Sequence, residues 1–105
     1  MSGADAGGTD AMIECWRVRV HGRVQGVGYR QVCIEQARAL GITGWVRNRL
    51  DGSVEATLQG SPQQLAQMSG WLRAGVAQAR VDDVDVAAVP PPFARFDRFE
   101  RWPTA

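Results

Sequence analysis

Lysine is absent from this chain, and all 12 of its basic side chains are arginine. No Gly-Lys-Ser/Thr can therefore follow a glycine loop, which excludes Walker-type phosphate binding. The all-arginine count itself is neutral. A planar, permanently charged fork suits oxyanions, but a bias in coding composition yields the same count. A net excess of either charge is missing too: 12 basic and 11 acidic residues leave a net charge of +1, so there is no broad basic field for a nucleic-acid duplex. No apolar run is long enough to span a bilayer, and no positive segment followed by an apolar stretch marks a signal peptide. The two cysteines, Cys15 and Cys33, lack metal-ligand spacing and read as thiols in a reducing cytoplasm. A single histidine, His21, leaves little room for imidazole chemistry.

What is present describes one ordinary domain. The chain has 105 residues, 45% hydrophobic and 22% charged, enough for one two-layer core. Residues 1–11 are rich in Gly, Ala and Asp and read as a flexible tail, leaving residues 12–102 as the domain. Ile13 to Val20 alternates, with Trp16, Val18 and Val20 on one face, and predicts a strand. A helix follows, with Tyr29, Cys33, Ala37 and Leu40 on one face and Gly41 as its stop. Trp45–Arg49 and Val54–Leu58 flank Asp51-Gly52 as a hairpin. Ser61, Pro62 and Gln64 carry the start signals of a second helix, whose inner stripe is Leu65, Met68 and Leu72. Val81–Val89 predicts a further strand, and Phe96–Trp102 a short last one. The order β-α-β-β-α-β predicts a ferredoxin-like α+β sandwich, an antiparallel sheet with both helices on one face. That fold hosts many functions, so chemistry has to be sought in a site.

The segment with chemical content is GRVQGVGYR, Gly22 to Arg30, between a buried strand and the first turn of a helix. Gly22, Gly26 and Gly28 permit positive φ, so successive N–H groups can converge on one point. The helix start adds unpaired N–H donors and the positive end of its dipole. Such a cup binds a tetrahedral oxyanion. Arg30 opposes the helix dipole at a cost of about 0.3–1 kcal/mol, a placement that a bound dianion would make favourable. It reads equally as a solvated arginine after a strand-to-helix turn. Asn48 offers a donor and an acceptor that could orient a water, and taken alone it also reads as a polar residue flanking a turn.

GRVQGVGYR, followed by GWVRN and then DGSVE, resembles the acylphosphatase family over roughly Trp16 to Val89. The resemblance implies hydrolysis of the carboxyl–phosphate bond of acyl phosphates, with no cofactor, metal or covalent phosphoenzyme. It implies a phosphate loop of Gly22, Arg23, Val24, Gln25, Gly26, Val27, Gly28, Tyr29 and Arg30, holding the phosphoryl group by backbone amides. Arg30 then binds that group and Asn48 positions the attacking water. The sequence departs from the family where Tyr29 replaces Phe and Val76 follows Gly75 in place of Pro. It departs again where Arg101, two positions after Phe99, replaces an apolar residue.

Rival readings fit less well. His21 has no carboxylate recognisably placed to orient it. The glycines are in the wrong order for a dinucleotide fold. Cys15 and Cys33 lie on either side of the loop, whereas a thiolate phosphatase needs its cysteine at the loop's head. Asp83-Val84-Asp85 reads as a half-exposed strand, and the aromatic motif of RNA-binding sheets is missing. A phosphate-sensing module that kept the loop but lost turnover stays open. The expected partner is a small acyl phosphate, with no nucleic acid, no membrane and a monomeric state.

Overall fold

A computed structural model describes residues 13–105. The tail expected at residues 1–11 lies outside the described residues. The elements run β1 (Glu14–Arg23), α1 (Tyr29–Leu40), β2 (Thr43–Asn48), β3 (Val54–Gly60), α2 (Pro62–Ala74), β4 (Arg80–Ala88) and β5 (Phe99–Arg101). They form one five-stranded sheet of order β4-β1-β3-β2-β5. The first four strands pair antiparallel, as expected of a ferredoxin-like sandwich. β5 adds parallel to β2, pairing Gly44 with Phe99 and Val46 with Arg101, so the full sheet is mixed.

Alternation puts Val18, Val20, Val46, Val54, Ala56, Leu58 and Val84 on the helical side of the sheet, where they join a single core. α1 contributes Tyr29, Cys33, Ile34 and Ala37, and α2 contributes Leu65, Met68 and Leu72. Burial raises the Cys33 thiol pKa to about 12, so it is an inert core group at neutral pH. Cys15 is also buried, and both thiols are free.

β1 runs three residues past the end that alternation marks. A bulge between His21 and Gly22 shifts the register, and Gly22 and Arg23 then pair with Val81 and Arg80 of β4. The extra residue, Asp82, lies on β4, so the extension of β1 to Arg23 follows from the shifted pairing and not from a side-chain pattern within β1. The close approach needs glycine, because a Cβ at Gly22 would overlap the Arg80 carbonyl. β5 is shorter than the expected Phe96–Trp102, and the chain beyond it stays tied to β2. Trp102 N–H donates to Val46 O at 2.9 Å, and Ala105 N–H to Asn48 O at 3.2 Å.

The other sheet face holds Arg17, Arg19, Trp45, Arg47, Glu55, Thr57 and Gln59. Trp102 stacks on Trp45 with ring centroids 4.4 Å apart, and Arg47 lies over the same indole at 4.9 Å. Glu55 sits beneath four guanidinium groups, with its side chain 5% exposed. Arg47 Nε approaches it at 2.9 Å and Arg49 Nη1 at 3.3 Å. Arg17 Nη1 and Arg19 Nη2 stand at 3.5 and 3.6 Å. Burial pushes the Glu55 carboxyl up, but the Arg47 hydrogen bond and the charges of Arg47, Arg49 and Arg19 outweigh it. The group is held below the usual carboxylate range.

Candidate active site

The two helices start in opposite ways. At α2, Ser61 Oγ accepts from Gln64 N–H at 3.2 Å and Gln64 Oε1 accepts from Ser61 N–H at 2.8 Å, a complete capping box. At α1 the cap is Gly28, left-handed at φ 80° and ψ 11°, with no side-chain cap and no acidic residue in the first turn. Among the described residues, no side chain thus caps the first N–H groups of α1. Gly26 is also left-handed, at φ 75°. A Cβ at Gly26 or Gly28 would meet nothing within 4 Å, so the demand on both is dihedral rather than spatial. An L side chain in that conformation costs roughly 1–2 kcal/mol.

Burial anchors the loop between these glycines and β1. Val24 is in the core and Val27 packs against it, whereas Gly26 and Gly28 are exposed. Gln25 binds the loop to the β2–β3 turn, its Nε2 donating to Arg49 O and Ser53 O, both at 2.8 Å. Tyr29 locks the head of α1 from within, donating its hydroxyl to Leu72 O at 2.9 Å and stacking on Trp71. Burial, with Cys33 adding to it, raises the Tyr29 phenol pKa well above its ordinary value, so the hydroxyl is a donor at any working pH.

Between loop and helix lies a cavity of about 110 Å³. At ~30 Å³ per water this is room for three or four waters, the scale of a tetrahedral oxyanion. Val24, Gly26, Gly28 and Tyr29 form one part of its lining, and Arg30, Gln31 and Arg101 the rest. Among the described residues, neither Arg30 nor Arg101 has an ion-pair partner. Desolvation, and then the charge of Arg101, lowers the Arg30 pKa, although an arginine remains cationic at neutral pH.

The residues expected from sequence thus divide. Gly22 and Arg23 lie in β1, residues 24–28 form the loop, and Tyr29 and Arg30 open α1. Arg30 meets the loop glycines at the cavity, whereas Gly22, Arg23, Gln25 and Val27 are not in its lining. Asn48 ends β2, opposite Val54, and is not in that lining either. Its Oδ1 is buried and has no hydrogen-bond partner among the described residues.

His21 corrects an expectation. A carboxylate does meet it: Nε2 lies 3.1 Å from Asp85 Oδ2. His21 pairs with Asp83 across the bulged ladder and reaches its diagonal neighbour, a contact that only the register creates. Both side chains belong to the face away from α1. Sequence reasoning missed Arg101 and the bonds of Gln25. The only trace of the former is its departure from an apolar position.

A sequence model of the family described as Acylphosphatase matches residues 16–100. The chain belongs to the acylphosphatase family. It is 62% identical over 87 residues to Acylphosphatase 1 of Ralstonia nicotianae, covering 83% of this chain and 85% of that protein. An acylphosphatase of Polaromonas naphthalenivorans is 57% identical over 94 residues, covering 90% and 93%. Among solved structures, an acylphosphatase from Coxiella burnetii superposes with a TM-score of 0.83 at 30% identity, covering 90% of this chain and 97% of that one. Such matches make this acylphosphatase-family chain an enzyme, and the likeness spans the loop, both helices and β1–β4.

Proposed function

We propose that this chain hydrolyses the carboxyl–phosphate bond of acyl phosphates by in-line attack of a water held by Asn48 on a phosphoryl group gripped by the 22–30 loop and Arg30. The reading rests first on the oxyanion-sized cavity where Gly26, Gly28 and the uncapped head of α1 meet Arg30. The loop amides and the Arg30 fork stabilise charge on the equatorial oxygens of a loose transition state. The unpartnered Asn48 Oδ1 accepts one hydrogen of the water and leaves its oxygen lone pair free to attack phosphorus. As the new P–O bond forms, the bond to the acyl oxygen breaks and its electron pair leaves on the carboxylate. The water's proton passes to a phosphoryl oxygen. A carboxylate of pKa about 4 is a good leaving group, so no strong general base is required.

Cys15 and Cys33 are buried and absent from the cavity lining, so the reading involves no thiolate. The cytoplasm is the compartment in which both would persist as free thiols. No helix among the described residues is long and apolar enough to cross a membrane.

Hydrolysis of benzoyl phosphate, followed by loss of its ultraviolet absorbance with chelator present, tests the proposal. Turnover is expected to survive the chelator. Asn48→Ala is expected to lose about 10²-fold or more in kcat while inorganic phosphate still inhibits at near wild-type concentration. Phosphate binding without turnover in the wild-type chain would instead identify a phosphate-sensing module.

A further inference from the structure

We propose that Arg101 is a second catalytic arginine, gripping the phosphoryl group together with Arg30. The inference rests on the acyl phosphate reading above and extends it to a residue outside the loop. β5 adds parallel to β2 and sets Arg101 opposite Val46, two positions before Asn48. This places its guanidinium at the head of α1, where Nη2 donates to Gln31 Oε1 at 3.2 Å and the side chain completes the cavity wall. That bond uses one of five N–H donors on a planar fork. The remaining donors suit bidentate contact with phosphoryl oxygens.

Charge gives the placement its meaning. Two guanidinium groups share one small cavity with no ion-pair partner among the described residues, and each repels the other. On the other sheet face, by contrast, four arginines share one carboxylate, that of Glu55. At the loop no carboxylate is supplied by the described residues, and a phosphoryl dianion carries the charge that neutralises the pair. Free protein bears the repulsion, and the bound anion relieves it.

Arg101→Gln removes the charge and keeps an amide donor on a shorter side chain, and Arg101→Lys keeps the charge without the fork. For Arg101→Gln, the inhibition constant of inorganic phosphate is expected to rise about tenfold and kcat/KM for benzoyl phosphate to fall at least tenfold. Arg101→Lys is expected to recover part of both. Without phosphate, Arg101→Gln should melt at or above the wild-type temperature, because repulsion is relieved. Its stabilisation by phosphate should be the smaller of the two. Phosphate inhibition and kcat/KM within about twofold of wild type would overturn the proposal. So would a fall in melting temperature without phosphate, since a structural contact would then account for the loss. Wild-type protein that binds phosphate without hydrolysing benzoyl phosphate refutes the acyl phosphate reading alone, and the phosphate measurements on Arg101→Gln still decide this one.

Discussion

On the open face of the sheet, Arg17, Arg19, Arg47 and Arg49 converge on a buried Glu55, whereas at the head of α1, Arg30 and Arg101 converge on a cavity. The first cluster brings its own anion and is complete when folded. The second lacks one among the described residues and, in the function proposed above, is completed by an anion from outside. The helix starts repeat the contrast, with Ser61 and Gln64 satisfying α2 and no side chain capping α1. Cations closed by an internal carboxylate hold a fold together. Cations left open beside unpaired N–H groups make a binding site.

The sharpest way to break this contrast is to remove one charge from each region. Arg30→Ala is expected to lower kcat/KM for benzoyl phosphate by about 10³-fold or more, on the scale of a transition-state arginine. Its denaturant midpoint should change little, since no internal partner is lost. A large loss of stability would show that Arg30 is structural after all.

Glu55→Gln reverses the pattern. It leaves four guanidinium groups around a neutral amide and should cost about 3 kcal/mol in urea unfolding at pH 7, with catalysis changed only a few-fold. pH sharpens the same test. The folded Glu55 pKa lies below its unfolded value of about 4.3, so its stabilisation is fully present above that pH. It is lost as pH falls through the folded value. Unfolding free energies at pH 7 and pH 3 should therefore converge in Glu55→Gln relative to wild type, and an unchanged difference would remove Glu55 from the account.

Gln25 joins the two regions, because its side chain binds the carbonyl of Arg49, itself a member of the Glu55 cluster. Gln25→Leu should cost about 1–2 kcal/mol of stability. It should reduce kcat about tenfold while phosphate inhibition changes less, if the bond sets the position of the turn after Asn48. Equal losses in kcat and phosphate affinity would mean that the loop itself has collapsed. The smallest effect is expected from Tyr29→Phe, about 1 kcal/mol from the bond to Leu72 O, measured by thermal melting with the stack on Trp71 retained.

Much of the fold was legible because its signals are local. Alternating valines marked β1, Asp51-Gly52 marked the hairpin, and Ser61-Pro62 with Gln64 marked the start of α2. The loop was legible through its glycines and, more specifically, through the family resemblance of GRVQGVGYR with GWVRN. Arg30 and Asn48 were singled out on the same grounds, though only Arg30 lines the cavity. The bulge beside His21 was not legible, since its extra residue, Asp82, lies on β4 and shifts the pairing only across the ladder. The His21–Asp85 contact lies in the regular register before the bulge and was hidden because it needs the pairing of two distant strands.

The amino-acid order alone determined the βαββαβ layout, the two helix starts and the glycine loop, because each depends on residues within a few positions of one another. Tertiary structure alone decided which arginines face a carboxylate and which face a cavity. Arg101 and Gln31 stand 70 positions apart and meet only because β5 pairs with β2 in parallel register. A three-residue strand has too few residues to show a period, so its partner is chosen by the sheet edge and the core beneath Phe99, and with it the second cation of the site.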